Sequence, residues 1–196
     1  MAKIKEIYNA HLVQIDEMTP TVRNFHFEFP EKPRFDYRPG QFVMVEVPRE
    51  GKNVRKPYSI ASPPDWPGKI ELCIKKVEGG YVSSYFFDLK PGYIMPMEGP
   101  LGVFKLKDPL PEHLIFVATG TGIAPLRAMI HPLLKNGHAG KITLILGVRE
   151  RQSEQHARDR RLQQDRRDAE GHHRERDPGH RRVDQPHRPE AEHHPD

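Results

Sequence analysis

The sequence predicts a β + α/β architecture: an antiparallel β-barrel over residues 1–108, an incomplete parallel α/β domain over 109–150, and a disordered tail over 151–196. Three observations carry this. Short alternating segments between Pro and Gly turns fill the first hundred residues; a continuous apolar run leading into a glycine turn and an amphipathic stretch follows; and the composition changes abruptly at Arg151.

The barrel elements come in order. Val22 to Phe29 alternates with Phe25, Phe27 and Phe29 on one side, so one strand face carries three aromatic rings. Pro39-Gly40 makes a turn, and Gln41 to Val47 alternates as the next strand. Lys56 to Ala61 and Ile70 to Val77 read as two more. Gly79-Gly80 and Pro91-Gly92 bracket Tyr81 to Lys90, long enough for about two helical turns. Ile94 to Phe104 returns as an extended strand.

After Asp108-Pro109-Leu110-Pro111 the period changes, which places a domain boundary there. Leu114 to Ala118 is apolar throughout, as in a strand buried on both faces of a parallel sheet. It runs into Thr119-Gly120-Thr121-Gly122-Ile123-Ala124-Pro125, then an amphipathic stretch to Leu134, a stop at Lys135-Asn136-Gly137, and a second apolar strand from Ile142 to Leu146. Strand, turn, helix, strand is one βαβ unit.

Composition narrows the function classes. Residues 1–150 hold 20 Lys plus Arg against 16 Asp plus Glu, whereas 151–196 hold 11 against 11. No region is a concentrated basic domain, so a nucleic-acid partner is not expected. Cys73 is the single cysteine and excludes an intrachain disulfide, a cysteine-ligated iron-sulfur cluster and a thiolate zinc site. Met1 to Tyr8 lacks the apolar run of a signal peptide, and no apolar stretch approaches membrane-spanning length; the expectation is a cytoplasmic protein without membrane insertion. The His172-His173, His180, His187 and His193-His194 set lies among Arg, Asp, Pro and Gln without regular ligand spacing, so no functional metal site is expected.

Two clusters carry chemistry. Gly120-Thr121-Gly122, between a strand and a helix, either lets backbone N–H groups approach a pyrophosphate or serves as a tight turn. No Walker lysine follows, and Pro125 stands where the Rossmann fingerprint has its third glycine. In Arg55-Lys56-Pro57-Tyr58-Ser59-Ile60 an aromatic ring, two cations and a hydroxyl suit a flavin; the same residues also suit a solvated strand end.

Taken in order, these residues resemble the ferredoxin-NADP reductase family. Lys56-Pro57-Tyr58-Ser59 is similar to its R-x-Y-S flavin motif, and Leu72-Cys73-Ile74-Lys75-Lys76 resembles its next flavin-contacting strand. Gly80-Tyr81-Val82-Ser83, with Ser84 beside it, resembles the G-x-x-S turn that receives the FAD diphosphate. Leu89-Lys90-Pro91-Gly92 and Gly99-Pro100-Leu101-Gly102 resemble the turn and strand that follow, and Gly120 to Pro125, entered through Thr119, resembles the nicotinamide-dinucleotide loop. The resemblance spans about residues 5–150 and implies a six-stranded FAD-binding β-barrel followed by a Rossmann-like domain.

It further implies FAD as cofactor and NAD(P)H as substrate. Hydride would pass at flavin N5 near Ser59, the candidate catalytic residue, and Tyr58 would hold the isoalloxazine face. Electrons would reach a ferredoxin-like carrier or a larger redox complex in which the chain is the diaphorase subunit. The alternative is a flavin-binding module or fragment without turnover. Two departures stand out. Lysine replaces the motif arginine, leaving the diphosphate to Lys56 as a point charge or to Arg55 from a shifted backbone. The family pattern also stops at Gly147-Val148-Arg149-Glu150, where Lys usage ends and aromatics vanish, which predicts a shifted reading frame near Glu150.

Overall fold

The structure, a computed structural model, describes residues 6–32 and 34–148, all of which fall in one compact unit spanning Met1–Ala157. Six antiparallel strands form the first body: β1 (Ile7–Thr19), β2 (Val22–Glu28), β3 (Phe42–Arg49), β4 (Lys52–Ser59), β5 (Lys69–Lys75) and β6 (Ile94–Leu101). Helix α1 (Tyr81–Asp88) lies between β5 and β6. The sheet order is β4-β3-β6-β1-β2-β5, and an antiparallel bridge from Ile60 to Leu72 joins its two ends into a barrel.

The three phenylalanines of one face form the centre of the core. Phe25, Phe27 and Phe29 are all buried, with Phe29 stacked on Phe35 at 4.2 Å between centroids. Phe86 of α1 is fully buried and meets Phe25 edge-on at 5.2 Å, so the helix is seated by an aromatic wedge in the barrel mouth. Gly40 allows a close approach: at φ +94° an added Cβ would lie 2.0 Å from the Phe104 carbonyl oxygen.

Strand β1 was not legible in the sequence. Tyr8, Ala10 and Leu12 alternate inward, but register shifts at Leu12/Gln14 and Glu17/Thr19 break the period. Those bulges bend one 13-residue strand so that it pairs with β6 at its start and β2 along the rest. Strand β6 ends at Leu101, short of the expected Phe104, since Gly102 turns at φ +99° and Val103 and Phe104 are exposed.

The second body is β7 (His113–Thr119), a 3₁₀ turn over Gly120–Ile123, α2 (Ala124–Lys135) and β8 (Lys141–Gly147), with β7 and β8 parallel. Leu126, Met129 and Leu133 of α2 pack on Leu114, Phe116 and Ala118. The expectation that Leu114 to Ala118 is buried on both faces is corrected. Ile115 and Val117 are 60% and 66% exposed, because α2 covers one face and nothing among the described residues covers the other. The expected tail and the expected break at Glu150 lie outside the described residues. Among the described residues no helix is long and apolar enough to cross a membrane, and no His, Cys, Asp and Glu cluster could hold a metal.

Candidate flavin and nucleotide cleft

Barrel closure fails on one side, and the failure makes the site. Beyond the Ile60–Leu72 bridge, β4 and β5 part, and the β4 edge facing away from β3 has no strand partner among the described residues. Pro57 is tolerated in β4 because that edge needs no ladder donor there. Between the parted strands opens a cleft of about 800 Å³, within the roughly 300–1,000 Å³ range of small-molecule and cofactor sites.

Most of the candidate residues meet on this cleft. Lys56, Pro57, Tyr58 and Ser59 line one side; Cys73, Ile74 and Lys75 line the other; Gly80, Tyr81, Val82 and Ser83 come from the start of α1; Thr121 and Gly122 come from the turn after β7 and Ala124 from the first residue of α2. Seven candidates lie off it. Ile60 is fully buried in the barrel, and Ile123 packs beside the α2 core. Ser84, Thr119, Gly120 and Pro125 flank the lining residues in sequence without reaching the cleft. Arg55 is the seventh: it turns to the other face of β4, paired with Glu98 and at 3.8 Å with Glu46. Lys56 has no ion pair among the described residues.

Four lining residues escaped sequence reasoning: Arg49, Val54, Val77 and Gly79. The β3–β4 hairpin brings Arg49 to the cleft, where its guanidinium lies 4.9 Å over the Tyr81 ring. The Tyr81 hydroxyl donates to the Pro48 carbonyl and fixes that ring.

The turn into α1 is built as an anion cradle. The Ser83 hydroxyl accepts from Val77 N–H at 3.1 Å and donates to the Gly80 carbonyl at 3.0 Å, which holds the 77–83 loop closed. A Cβ on Gly80 would meet Ser83 Oγ at 2.7 Å, so any other residue there would displace the hydroxyl that closes the loop. The first amides of α1 have no intrahelical acceptor and carry the positive end of the helix dipole. With Lys56, Lys75 and Arg49 on the rim, the donor set matches a diphosphate bearing two negative charges. At Gly122, which lines the same cleft, a Cβ would meet nothing within 4 Å, and φ is not positive. The fold itself therefore does not require glycine at this position.

Tyr58 presents a ring to the cleft, backed by Phe86 edge-on at 5.2 Å, and burial raises its phenol pKa. Burial also pushes the Cys73 thiol up to about 11, with repulsion from Glu71 adding and Arg127 opposing, so it stays a neutral thiol at pH 7. The unfolded chain ionises this thiol near its ordinary 9.0, so its contribution to stability is complete below pH 9 and is lost as pH rises from about 9 to 11. Denaturant melts at pH 8 and pH 11 should show Cys73→Ala losing about 2 kcal/mol less than the parent chain over that interval. Equal losses would place the titration elsewhere.

The barrel is that of an oxidoreductase FAD-binding domain. Residues 9–106 match the oxidoreductase FAD-binding domain and residues 116–185 the oxidoreductase NAD-binding domain. The chain belongs to the ferredoxin-NADP reductase family. It is 38% identical over 144 residues to ferredoxin–NADP reductase B of Sorangium cellulosum, covering 74% of this chain and 59% of that protein. It is 31% identical over 147 residues to the reductase component of phenol 2-monooxygenase from a Pseudomonas species, covering 74% and 40%. Among solved structures it is similar to the Amycolatopsis cytochrome P450 reductase GcoB, with TM-score 0.68 and 26% identity over 76% of this chain and 45% of that one. The chain therefore spans between two fifths and three fifths of the lengths of these proteins.

Proposed function

We propose that the chain is a FAD-dependent oxidoreductase, or the flavin-bearing part of one, that moves electrons between NAD(P)H and a one-electron carrier such as ferredoxin or a partner subunit. The observation that carries the proposal is the convergence of β4, β5, the α1 turn and the start of α2 with its leading turn (Thr121, Gly122, Ala124) on a single cleft. FAD, when bound, accepts two electrons as a hydride and releases them singly. Lys56 and the α1 amides hold the diphosphate, Tyr58 supports the ring system, and the Ser59 hydroxyl supplies a hydrogen bond to it. Arg55, spent on Glu46 and Glu98, has no part in the diphosphate contact. Gly122 admits the nucleotide backbone beside the flavin. The relatives' names, a ferredoxin–NADP reductase and a monooxygenase reductase component, favour a ferredoxin-like acceptor or a multicomponent redox complex. The single thiol and the use of NAD(P)H favour the cytoplasm.

A second reading, a flavin-binding module without turnover, is favoured by the exposed Ile115, Val117, Leu144 and Ile145 on a two-stranded sheet. Titrating the protein with FAD and then adding NADH or NADPH separates the two. Equimolar FAD with bleaching of its absorbance supports the reductase, FAD without bleaching supports the module, and no bound FAD defeats both. In the same titration Lys56→Ala should raise the FAD Kd roughly ten-fold or more, and Ser59→Ala only about five-fold, since charge-assisted hydrogen bonds contribute about twice as much as neutral ones. Equal affinities for Lys56→Ala and the parent would remove Lys56 from the contact.

A further inference from the structure

Lys69, Glu71, Cys73 and Lys75 alternate on the outer face of β5, while Ile70, Leu72 and Ile74 fill the barrel. Lys69 and Lys75 are exposed, as an outer face requires, yet Glu71 is 2% exposed. Its charged partner is Arg127 of α2, whose Nη2 binds a Glu71 carboxylate oxygen and whose Nε donates to the Ala61 carbonyl at 3.1 Å. The barrel side of this contact is stiff. Ala61 N–H donates to the Glu71 carbonyl at 2.8 Å, Glu71 N–H donates to Ser62 Oγ at 3.0 Å, and the Tyr37 hydroxyl donates to the Pro63 carbonyl at 2.7 Å.

The positions of the two charges give the pair its consequence. Arg127 stands two residues after Pro125, on the helix whose first residue, Ala124, and leading turn, with Thr121 and Gly122, line the cleft. Glu71 stands two residues before Cys73, on the facing wall and on the same face of the strand. One ion pair thus ties α2, just after the loop, to β5, just before its cleft-lining residues. A buried carboxylate that served packing alone would be replaceable by an apolar residue; here it is desolvated for a partner on the other body.

We propose that Arg127 and Glu71 are positioning residues that set the gap between the dinucleotide loop and the flavin-facing strand β5. Resting on the flavin and nucleotide reading of the cleft, the couple holds a nucleotide on Gly122 at a fixed spacing from the wall that carries Cys73. Loss of either charge lets the loop swing away while the barrel stays folded.

Cys73, the single thiol, reports that gap directly. In the full chain without ligand, labelling of Cys73 by an aromatic disulfide reagent should be slow. Arg127→Met should speed it roughly ten-fold or more, as expected for a local opening, with little dependence on urea below the unfolding transition. Glu71→Gln keeps the side-chain shape and should speed it similarly, and the double variant should be no faster than the faster single, because one contact is lost in all three. Arg127→Lys keeps the charge without the fork to Ala61 and should fall between parent and Arg127→Met. Trp66 fluorescence monitors the barrel throughout. Unchanged labelling in Arg127→Met and Glu71→Gln, acceleration that tracks global unfolding in urea, or an Arg127→Lys rate equal to that of Arg127→Met would overturn the couple. The thiol assay needs no flavin, so failure of FAD to bind would defeat the reductase proposal and leave this one to be judged on its own data.

Discussion

Replacing Phe86 with alanine is expected to destabilise the barrel by about 3–5 kcal/mol, the cost of emptying a fully buried aromatic site. The ring joins three parts of the structure. It meets Phe25 of β2 at 5.2 Å, backs Tyr58 of β4 at 5.2 Å, and belongs to the helix whose first turn forms the anion cradle. Its loss should therefore lower FAD affinity as well as stability, since both the Tyr58 ring and the Gly80–Ser83 turn lose their support. Phe86→Leu, which refills most of the volume, should recover most of both. Urea denaturation followed by Trp66 fluorescence checks the first effect and FAD titration the second. A Phe86→Ala protein within 1 kcal/mol of the parent would mean that α1 is not seated by this wedge.

The second large effect concerns the border near Glu150. We propose that residues 151–196 arise from a shifted reading frame, and a chain with the frame restored there is expected to oxidise NAD(P)H at ordinary enzymatic rates, on the order of 1 to 10³ s⁻¹. The chain as it stands should reduce bound FAD but turn over well below those rates. The physical ground is the sheet: Leu144, Leu146 and Val148 are more than 40% exposed on β8 and after it, beside Ile115 and Val117 of β7. Residues 151–196 offer five apolar side chains, Ala157, Leu162, Ala169, Val183 and Ala191, too few to cover that surface. The NAD-binding match continues to residue 185 and so marks no break at Glu150; composition and the uncovered strands carry the proposal. The nucleotide sequence around codon 150 decides the cause: another frame should encode the apolar strands that continue the sheet. If no frame does, and the present chain turns over NAD(P)H normally, the proposal is wrong.

How much was legible follows from what local sequence records. Phe25, Phe27 and Phe29 announced a buried strand face because their spacing equals the strand period, and Gly137 ended α2 as its neighbours suggested, with φ +66°. Strand β1 stayed hidden because its bulges scramble the period that reading depends on. Leu114 to Ala118 misled for a different reason: an apolar run records which faces a parallel strand is suited to bury, and the described residues supply a cover for one of them. In the cleft, Lys56, Tyr58, Ser59 and Gly80 were readable as ordered motifs. The direction of Arg55 was not, because it depends on Glu46 and Glu98, which antiparallel pairing brings from β3 and β6. Arg49 and the Arg127–Glu71 contact were invisible for the same reason, since each joins residues far apart in sequence through the third dimension.

FAD is expected to occupy the gap between β4 and β5. Amide hydrogen exchange of the full chain, with and without saturating FAD, tests it most directly. Protection should appear in peptides covering residues 52–59 and 73–84, where the open strand edge and the free amides of α1 lie, and β1 with β2 should exchange alike in both states. Saturating FAD that leaves both of those segments unchanged, or that protects a different part of the barrel, would contradict the account.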